Sequence, residues 1–575
     1  MNHRHRVRLT VLALVAVIGS AVVTSAVSPP ATAEASTIAP SGSRPFTDPV
    51  DRMPLGPESL VTKIGSVQTP APGVTYRKYT QGHASSSWTI ALHFPPARAD
   101  LVTRDSQRAD TFVADLHAAG YPEATKVTYD PPLPADLQYR PPADSTMLYA
   151  VHLGTFSDST AAEARLAQVR SAGITGVVEH EAFREQVSTG PWEVRALVVE
   201  PDAAVTIGAA HGPELRSADR VRDIARHAGA LAAVNASESD INSPNNPDFN
   251  GFDGDPLGIY VQGNNLLSEA VNGRTALLLN GANGPLRITE LTSTTTVKAP
   301  DGAQWQVDGL HRKPGKIAHC GGVGGDLRPP STPGGTPGDL PYADQPWRFE
   351  TCTDPDEIVV FRPEWGTETP VGPTGSVDVV VDGNWVAKQL RSPAGGPIPA
   401  GGRVLQGIGA GGQWLRDHTV LNKAFQPGTQ ILDPQGQRVT SPTFAAVSGG
   451  PALVRGGQVW INVGANGYRS RDGYHTSLFL DRHPRTLAGI TAAGQLLLVV
   501  IDGRRPGVSV GVTMPEAAAV MKWLGAVDAI MFGIGGDSTL VIDDILYNRP
   551  TDYWGHEPVT ERRVGNAIVL LPKAG

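Results

Sequence analysis

The sequence predicts an α+β protein: β-rich mixed sheets with a few packing helices, plus a small α+β module ahead of them. Three observations carry this expectation. From about residue 190 onward, short apolar or alternating runs such as "EIVVFRPEW", "SVDVVVDGNWV" and "GQLLLVVIDGR" recur between turn residues, the pattern of strands. Stretches with helical spacing are few, chiefly "RSADRVRDIARHAGA" and "MPEAAAVMKWLGA". Glycine (64) and proline (49) exceed average usage while aromatic residues make up only 6%, which favours a chain rich in turns.

Residues 1–33 read as a signal peptide. Arg4, Arg6 and Arg8 form a basic n-region, an apolar stretch runs from Leu9 to Val27, and Ala31-Thr32-Ala33 is an A-x-A cleavage site. A signal anchor is the alternative, because the apolar stretch is close to the shortest membrane span. The mature chain is expected to be secreted, extracellular or associated with the cell wall, with no stable membrane span after cleavage. Losing the leader removes three arginines and no acids, which takes the net charge from −8 to about −11. No basic stripe exists to meet phosphates, so no nucleic-acid partner is expected.

Residues 34–70, rich in Ser, Pro and Thr, read as a disordered linker. Residues 71–144 form an N-terminal α+β segment. In it "GVTYRKYT" and "SWTIALHF" alternate like strands, "SQRADTFVADLHAAG" has helical spacing, and a Pro-rich joint follows. Then "MLYAVHLGTFSDSTAAEARLAQVRSAGITGVVEH" reads strand, turn, helix, turn, strand, with Ala162, Leu166 and Val169 on one helix face and Gly173 ending it. On "YAVHLGTF" (Tyr149 to Phe156), Ser157, the Ala-rich helix and Gly173, residues 145–200 resemble a SPOR (sporulation-related repeat) domain. That resemblance implies binding to peptidoglycan glycan strands. A generic βαβ piece of a larger domain is the plainer reading.

The two cysteines, Cys320 and Cys352, are expected to form one disulfide in an exported chain. It would close a Gly/Pro-rich loop and contribute about 3–4 kcal/mol on chain-entropy grounds. Two free thiols are the alternative, and two thiols alone are too few for a zinc site.

Neither H-E-x-x-H nor a Walker G-x-x-x-x-G-K occurs. Polar residues gather instead at strand ends: Asn235, Ser448-Gly449-Gly450-Pro451, His483-Pro484-Arg485-Thr486, Asp502-Gly503-Arg504, Glu516, Asp537-Ser538-Thr539 and Glu561. Each has a structural reading. Thr513-x-x-Glu516 is a capping-box signature, Arg485 and Asp502 could pair across neighbouring strands, and Gly449-Gly450-Pro451 could be only a turn.

Taken in order, these pieces closely resemble the phosphodiester glycosidase family over residues 201–575. The carrying stretches are "SGGPALVRGG" (448–457), "HPRTLAGI" (483–490), "VVIDGRRPGVSVGVTMPEAA" (499–518), "LGAVDAIMFGIGGDSTLVI" (524–542) and "ERRVGNAIVL" (561–570). The resemblance implies hydrolysis of sugar-1-phosphodiester bonds, of the N-acetylglucosamine type, in a cell-wall or extracellular glycopolymer. Arg485, Arg504 and backbone N–H groups of the Gly-rich turn suit a phosphodiester anion. An oxocarbenium-like transition state needs a carboxylate, for which Asp502 comes first and Glu516 second. Asn235, His483, Thr486, Gly449, Gly450, Gly535, Gly536, Asp537, Ser538, Thr539 and Glu561 are expected to line the substrate site. No particular cofactor is implied, and a divalent cation such as calcium is left open.

The chain departs from the family twice. Where the family has N-G-G-F-F, it reads Asn235-Ala236-Ser237-Glu238-Ser239, and Glu238 and Asp240 offer new acids. Where the family has L-D-G-G-G-S-T, Gly533 stands at the Asp and Asp537 stands at the Ser. The alternative function is therefore a catalytically impaired wall- or glycan-binding protein on the same fold.

Overall fold

The computed structural model describes residues 45–573, excepting 85–86, 96–100, 104, 130–146, 240–253, 272, 280–285, 316, 319–350, 353, 440, 442–443, 464–465, 467–480 and 553–558. The leader, Asp240 and Cys320 lie outside the described residues. The backbone of Cys352 lies in the strand Thr351–Cys352, antiparallel to Ile317–Ala318. Its side chain is not described, so the expected disulfide falls outside as well.

Eight antiparallel strands make the largest sheet. Their order is Thr62–Ala71, Val74–Gln81, Trp192–Val199, Leu496–Ile501, Arg485–Thr491, Ala526–Ile534, Ala452–Arg455 and Gln458–Val459. The central strands read as unbroken apolar runs because both faces are covered. In Leu496–Ile501, alternation sends Leu496, Leu498 and Val500 into one core and Leu497, Val499 and Ile501 into another. The helix Met514–Trp523 closes the second core with Met514, Ala517, Val520 and Met521. Its start is fixed by the capping box the sequence signals: Glu516 N donates to Thr513 Oγ1 at 3.3 Å, and Thr513 N donates to Glu516 Oε2 at 2.9 Å.

The first core is shared with three five-stranded sheets. One runs Ile545–Leu546, Leu540–Ile542, Ala232–Asn235, Ala567–Pro572 and Val205–Ala210. A second runs Asn265–Ser268, Tyr260–Gln262, Ala445–Ser448, Thr275–Leu279 and Arg287–Glu290. The third contains Ile358–Phe361, Arg403–Gly407 and Val377–Val381, and is mixed, since Gly309–Leu310 pairs parallel to Ile358–Phe361. Val234, Leu540, Ile568, Leu277, Val447, Phe361 and Val404 all reach this common core. The β-rich α+β class follows.

The small module is a βαββαβ unit with sheet order Ala124–Tyr129, Leu148–Phe156, Trp88–Leu92, Gly176–His180, the arrangement of a split βαβ. Its helices Ser106–Ala118 and Ser159–Arg170 cover one face through Ala109, Leu116, Ala162, Leu166 and Val169. The module thus draws on both the 71–144 and the 145–200 segments. Trp192–Val199, which by sequence closes the 145–200 segment but also suits the start of the next domain, lies in the large sheet. Residues 45–70 also depart from the linker expectation. Met53 and Leu55 are buried against the large sheet, and Thr62–Ala71 is its edge strand. The strand is exposed on both faces, so no alternation marked it.

Candidate functional site

The Gly-rich turn lies where the chain leaves the large sheet. Ala526–Ile534 pairs with Arg485–Thr491, with Ile534 opposite Arg485. Leu540–Ile542 then enters the neighbouring five-stranded sheet, with Leu540 opposite Val234. Asn235, at the end of Ala232–Asn235, stitches the two sheets together. Its buried Oδ1 accepts from Thr486 Oγ1 (2.6 Å) and from Thr539 N (3.1 Å). Ser538 N closes the turn on Gly535 O at 3.1 Å.

Within this turn the Asp537 carboxylate lies over Gly533. A Cβ built on Gly533 would fall on Asp537 Oδ2 and within 2.5 Å of Asn235 Nδ2. The Asp537 carboxylate therefore fills the space into which a side chain at 533 would project. Gly533 has no positive φ, so volume, not backbone strain, keeps a side chain out. Among the described residues Asp537 Oδ1 accepts no hydrogen bond, and Arg562 Nη1 stands 3.8 Å away. Thr539 Oγ1 is likewise buried without a partner. Burial pushes the Asp537 carboxyl up to about 6, with Glu238 adding to the rise and Arg562 and Arg504 opposing it.

Two guanidinium groups face this acid. Arg504 lies on Gly535, where a Cβ would come within 2.8 Å of its Nη1. It donates to His483 Nδ1 through Nη2 (2.9 Å) and Nε (3.2 Å), and to the Asp552 carbonyl. Because His483 Nδ1 accepts, a neutral His483 carries its proton on Nε2. Arg562 N donates to Gly536 O at 3.0 Å, and its side chain pairs with Asp552. Burial, and then Arg562, draw the Arg504 guanidinium down to about 10. Two cations held side by side and partly desolvated form a field that an anion would relieve.

Asp502 supports this turn from behind. It is fully buried; Oδ2 accepts from Arg195 Nη1 (2.5 Å), and Oδ1 accepts from Arg549 N (2.9 Å) and Asn548 Nδ2 (3.2 Å). Asn548 in turn grips both limbs of the turn, donating to Ser538 O (2.7 Å) and accepting from Leu540 N (2.8 Å). The ion pair foreseen between Asp502 and Arg485 is made with Arg195 instead. Arg485 is buried, with Nε on Val512 O (2.7 Å) and Nη1 against Met531 Sδ (2.8 Å).

Other expected site residues lie in the framework. Glu516 serves the capping box and receives Arg482 on both oxygens (2.7–3.1 Å). Glu561 caps the helix Val221–Ala228 through Arg222 N (3.1 Å) and pairs with Arg222 Nη2 (3.0 Å). Gly449 and Gly450 cross the turn's own strand closely, with Gly450 N on Met531 O at 2.7 Å. Glu238 receives Arg274 at 3.0–3.1 Å. The structure thus gathers Asn235, His483, Thr486, Arg504, Gly535, Gly536, Asp537, Ser538 and Thr539, and adds Arg562 and Asp552. Arg562 sits inside the quoted "ERRVGN" stretch and was within reach of sequence reasoning. Asp552 belongs to no motif.

The chain also carries a G-x-S-x-G pattern, Gly507 to Gly511. Ser509 is buried, donates to Asp502 O (2.5 Å) and accepts from Glu193 N (3.1 Å). It is bonded to backbone, as a structural residue is. Among the described residues no group of three or more His, Cys, Asp or Glu side chains is placed to hold a metal ion, and no helix is long and apolar enough to cross a membrane.

Two measurements follow. Gly535 has φ +92, so Gly535→Ala is expected to strain the turn by about 1–3 kcal/mol and to displace Arg504, read as a lower denaturation midpoint. The raised Asp537 value means that the folded state binds this proton more tightly than the unfolded chain. Its contribution to stability should therefore fall as pH rises from about 4 to about 6, by at most about 3 kcal/mol. Asp537→Asn should remove that fall, read by urea denaturation across the interval.

Residues 375–571 match the phosphodiester glycosidase family, which supports that family for this part of the chain. The solved structure of the "Putative exported protein" of Burkholderia pseudomallei is similar at 27% identity and TM-score 0.76, over 92% of this chain and 100% of that one. A hypothetical protein from Synechocystis is similar at 15% identity and TM-score 0.48, over 88% of this chain and 80% of that one. The catalytic domain of zebrafish N-acetylglucosamine-1-phosphodiester alpha-N-acetylglucosaminidase, auto-inhibited by its pro-peptide, aligns at 12% identity and TM-score 0.30, over 66% of this chain and 77% of that one. No curated protein sequence matches the chain.

Proposed function

We propose that the protein is an exported glycosidase that hydrolyses sugar-1-phosphodiester bonds, of the N-acetylglucosamine-1-phosphodiester type, in a cell-wall or extracellular glycopolymer. The observation that carries this reading is the position of Asp537. Its carboxylate occupies the volume that a side chain at 533 would take, with one oxygen accepting no hydrogen bond among the described residues and two arginines beside it.

The chemistry divides between these groups. Arg504 and Arg562 hold the phosphodiester anion and stabilise the negative charge that builds as the bond from the anomeric carbon to the phosphate oxygen breaks. The electron pair leaves with the phosphate, which needs little protonation. Water bonds to the anomeric carbon and gives its proton to the Asp537 carboxylate. A group titrating near 6 is ionised at neutral pH yet basic enough for that transfer. Asp502 positions the turn through Asn548 and does not touch substrate.

The βαββαβ module would hold the enzyme at peptidoglycan, as its SPOR-like stretch suggests, and export agrees with the leader and with the name of the Burkholderia relative. Purified protein should release N-acetylglucosamine from an aryl or UDP-linked α-N-acetylglucosamine phosphodiester. Absence of turnover, with glycan pull-down intact, would establish the glycan-binding alternative.

A further inference from the structure

A cavity of about 640 Å³ opens between the Val205–Ala210 end of one sheet, the Tyr260–Ser268 hairpin, and the Phe361 and Arg403 strand ends of another. None of its described lining residues belongs to the Gly-rich turn. Its walls carry Arg362, Arg403, His211 and His227, and Glu364 is the one acid among the described lining residues.

The two arginines are placed without being paired. Arg362 is anchored by its backbone: its N–H donates to the buried His311 Nε2 at 3.0 Å, and His311 Nδ1 meets Leu267 O at 2.7 Å. Its guanidinium makes no hydrogen bond or ion pair with any described residue, and its Nε is buried. Arg403 stacks its guanidinium 5.0 Å from the centre of the Trp385 ring and spends one weak bond on Gly383 O (3.3 Å), while its Nε is also buried and unpartnered. Burial pulls the Arg362 guanidinium down, and Arg403 adds to that pull against Glu364. Two cations with open donors facing one cavity are a receptor for an oxyanion that accepts forked hydrogen bonds. Stacking on Trp385 fixes the Arg403 plane in advance, which lowers the ordering cost of binding.

We propose that this cavity binds a phosphate group of an anionic glycopolymer, as a second anion site apart from the Gly-rich turn. That the phosphate belongs to a polymer rests on the function proposed above; that the cavity takes a phosphate rests on the cavity alone. The site would hold one phosphate of the chain while another is processed at Asp537.

The test is calorimetric titration of the full chain and of its Asp537→Asn form, which needs no turnover. The probes are inorganic phosphate, a short glycerol-phosphate oligomer and an uncharged oligosaccharide. The oligomer should bind, more weakly as salt rises, and Arg362→Gln with Arg403→Gln should weaken it about tenfold or more, a loss of about 1.4 kcal/mol. Arg403→Gln alone, at a partly exposed position, should give a smaller loss in the same direction. Turnover of the small aryl phosphodiester should be unchanged in both variants. Oligomer affinity unchanged in the double variant, or equal affinity for the uncharged oligosaccharide, would overturn the site. Inorganic phosphate binding there as tightly as the oligomer would overturn the polymer assignment. An inactive parent protein whose oligomer binding still depends on the two arginines would reject the glycosidase and keep the site.

Discussion

Asp537→Asn is expected to lower turnover of an α-N-acetylglucosamine phosphodiester by about a hundred- to ten-thousand-fold while the protein stays folded. The substitution keeps the shape of a side chain that fills the space over Gly533, and it removes only the charge and the capacity to take a proton. Stability should not drop, because a buried carboxyl raised to about 6 is a cost to the fold above that pH. Arg504 and Arg562 remain to hold the phosphodiester, so KM should change less than kcat. A parent-like kcat in this variant would remove Asp537 from the chemistry.

Asp502→Ala should behave differently. It leaves Arg195 buried with Glu193 (2.6 Å) as its remaining ion-pair partner among the described residues and strips two donors, Arg549 N and Asn548 Nδ2, of their acceptor. Breaking a buried pair in this way costs about 3–5 kcal/mol. Urea denaturation should show that loss directly. Activity should fall as well, since Asn548 no longer holds Ser538 and Leu540 in place. The two variants separate roles that sequence order merges: loss of rate with stability kept at Asp537, loss of stability first at Asp502. A catalytic Asp502 would instead lose rate in a protein of undiminished stability.

Much of this was legible in the residues. The apolar runs around Leu496–Ile501 and Ala526–Ile534 announce strands covered on both sides, and Thr513-x-x-Glu516 announces a helix start, which is where the structure uses it. The helix face of Ala162, Leu166 and Val169 is buried as its spacing implies. The edge strand Thr62–Ala71 was not legible, because an exposed strand needs no alternation and its pairing with Val74–Gln81 supplies the order. Neither was the extent of the small module, whose sheet joins strands on both sides of a Pro-rich joint.

At the site, motif order pointed to the turn, Asn235, His483 and Arg504, and it ranked Asp502 first and Glu516 second among the acids, ahead of Asp537. Asp502 and Glu516 sit in the best-marked stretches and are held by Arg195 and Arg482. Asp537 looks like a displaced residue in a one-line comparison. Only in three dimensions does its carboxylate fall back over Gly533. Arg562 and Asp552 reach the turn from a later segment, a proximity set by the pairing of Ala567–Pro572 with Ala232–Asn235 and not by spacing.

The central claim is that the acid was relocated within the turn and kept its work. It is tested most directly by comparing turnover of the α-N-acetylglucosamine phosphodiester in the parent protein, in Asp537→Ser, and in Asp537→Ser combined with Gly533→Asp. The combined form clears the Asp537 carboxylate from the volume over residue 533, leaving Asn235 Nδ2 as the neighbour that must shift, and puts an acid at the position where the resembling family carries one. The expected result is an active parent, loss of activity in Asp537→Ser, and recovery by at least about tenfold in the combined form. Full activity in Asp537→Ser would contradict the account.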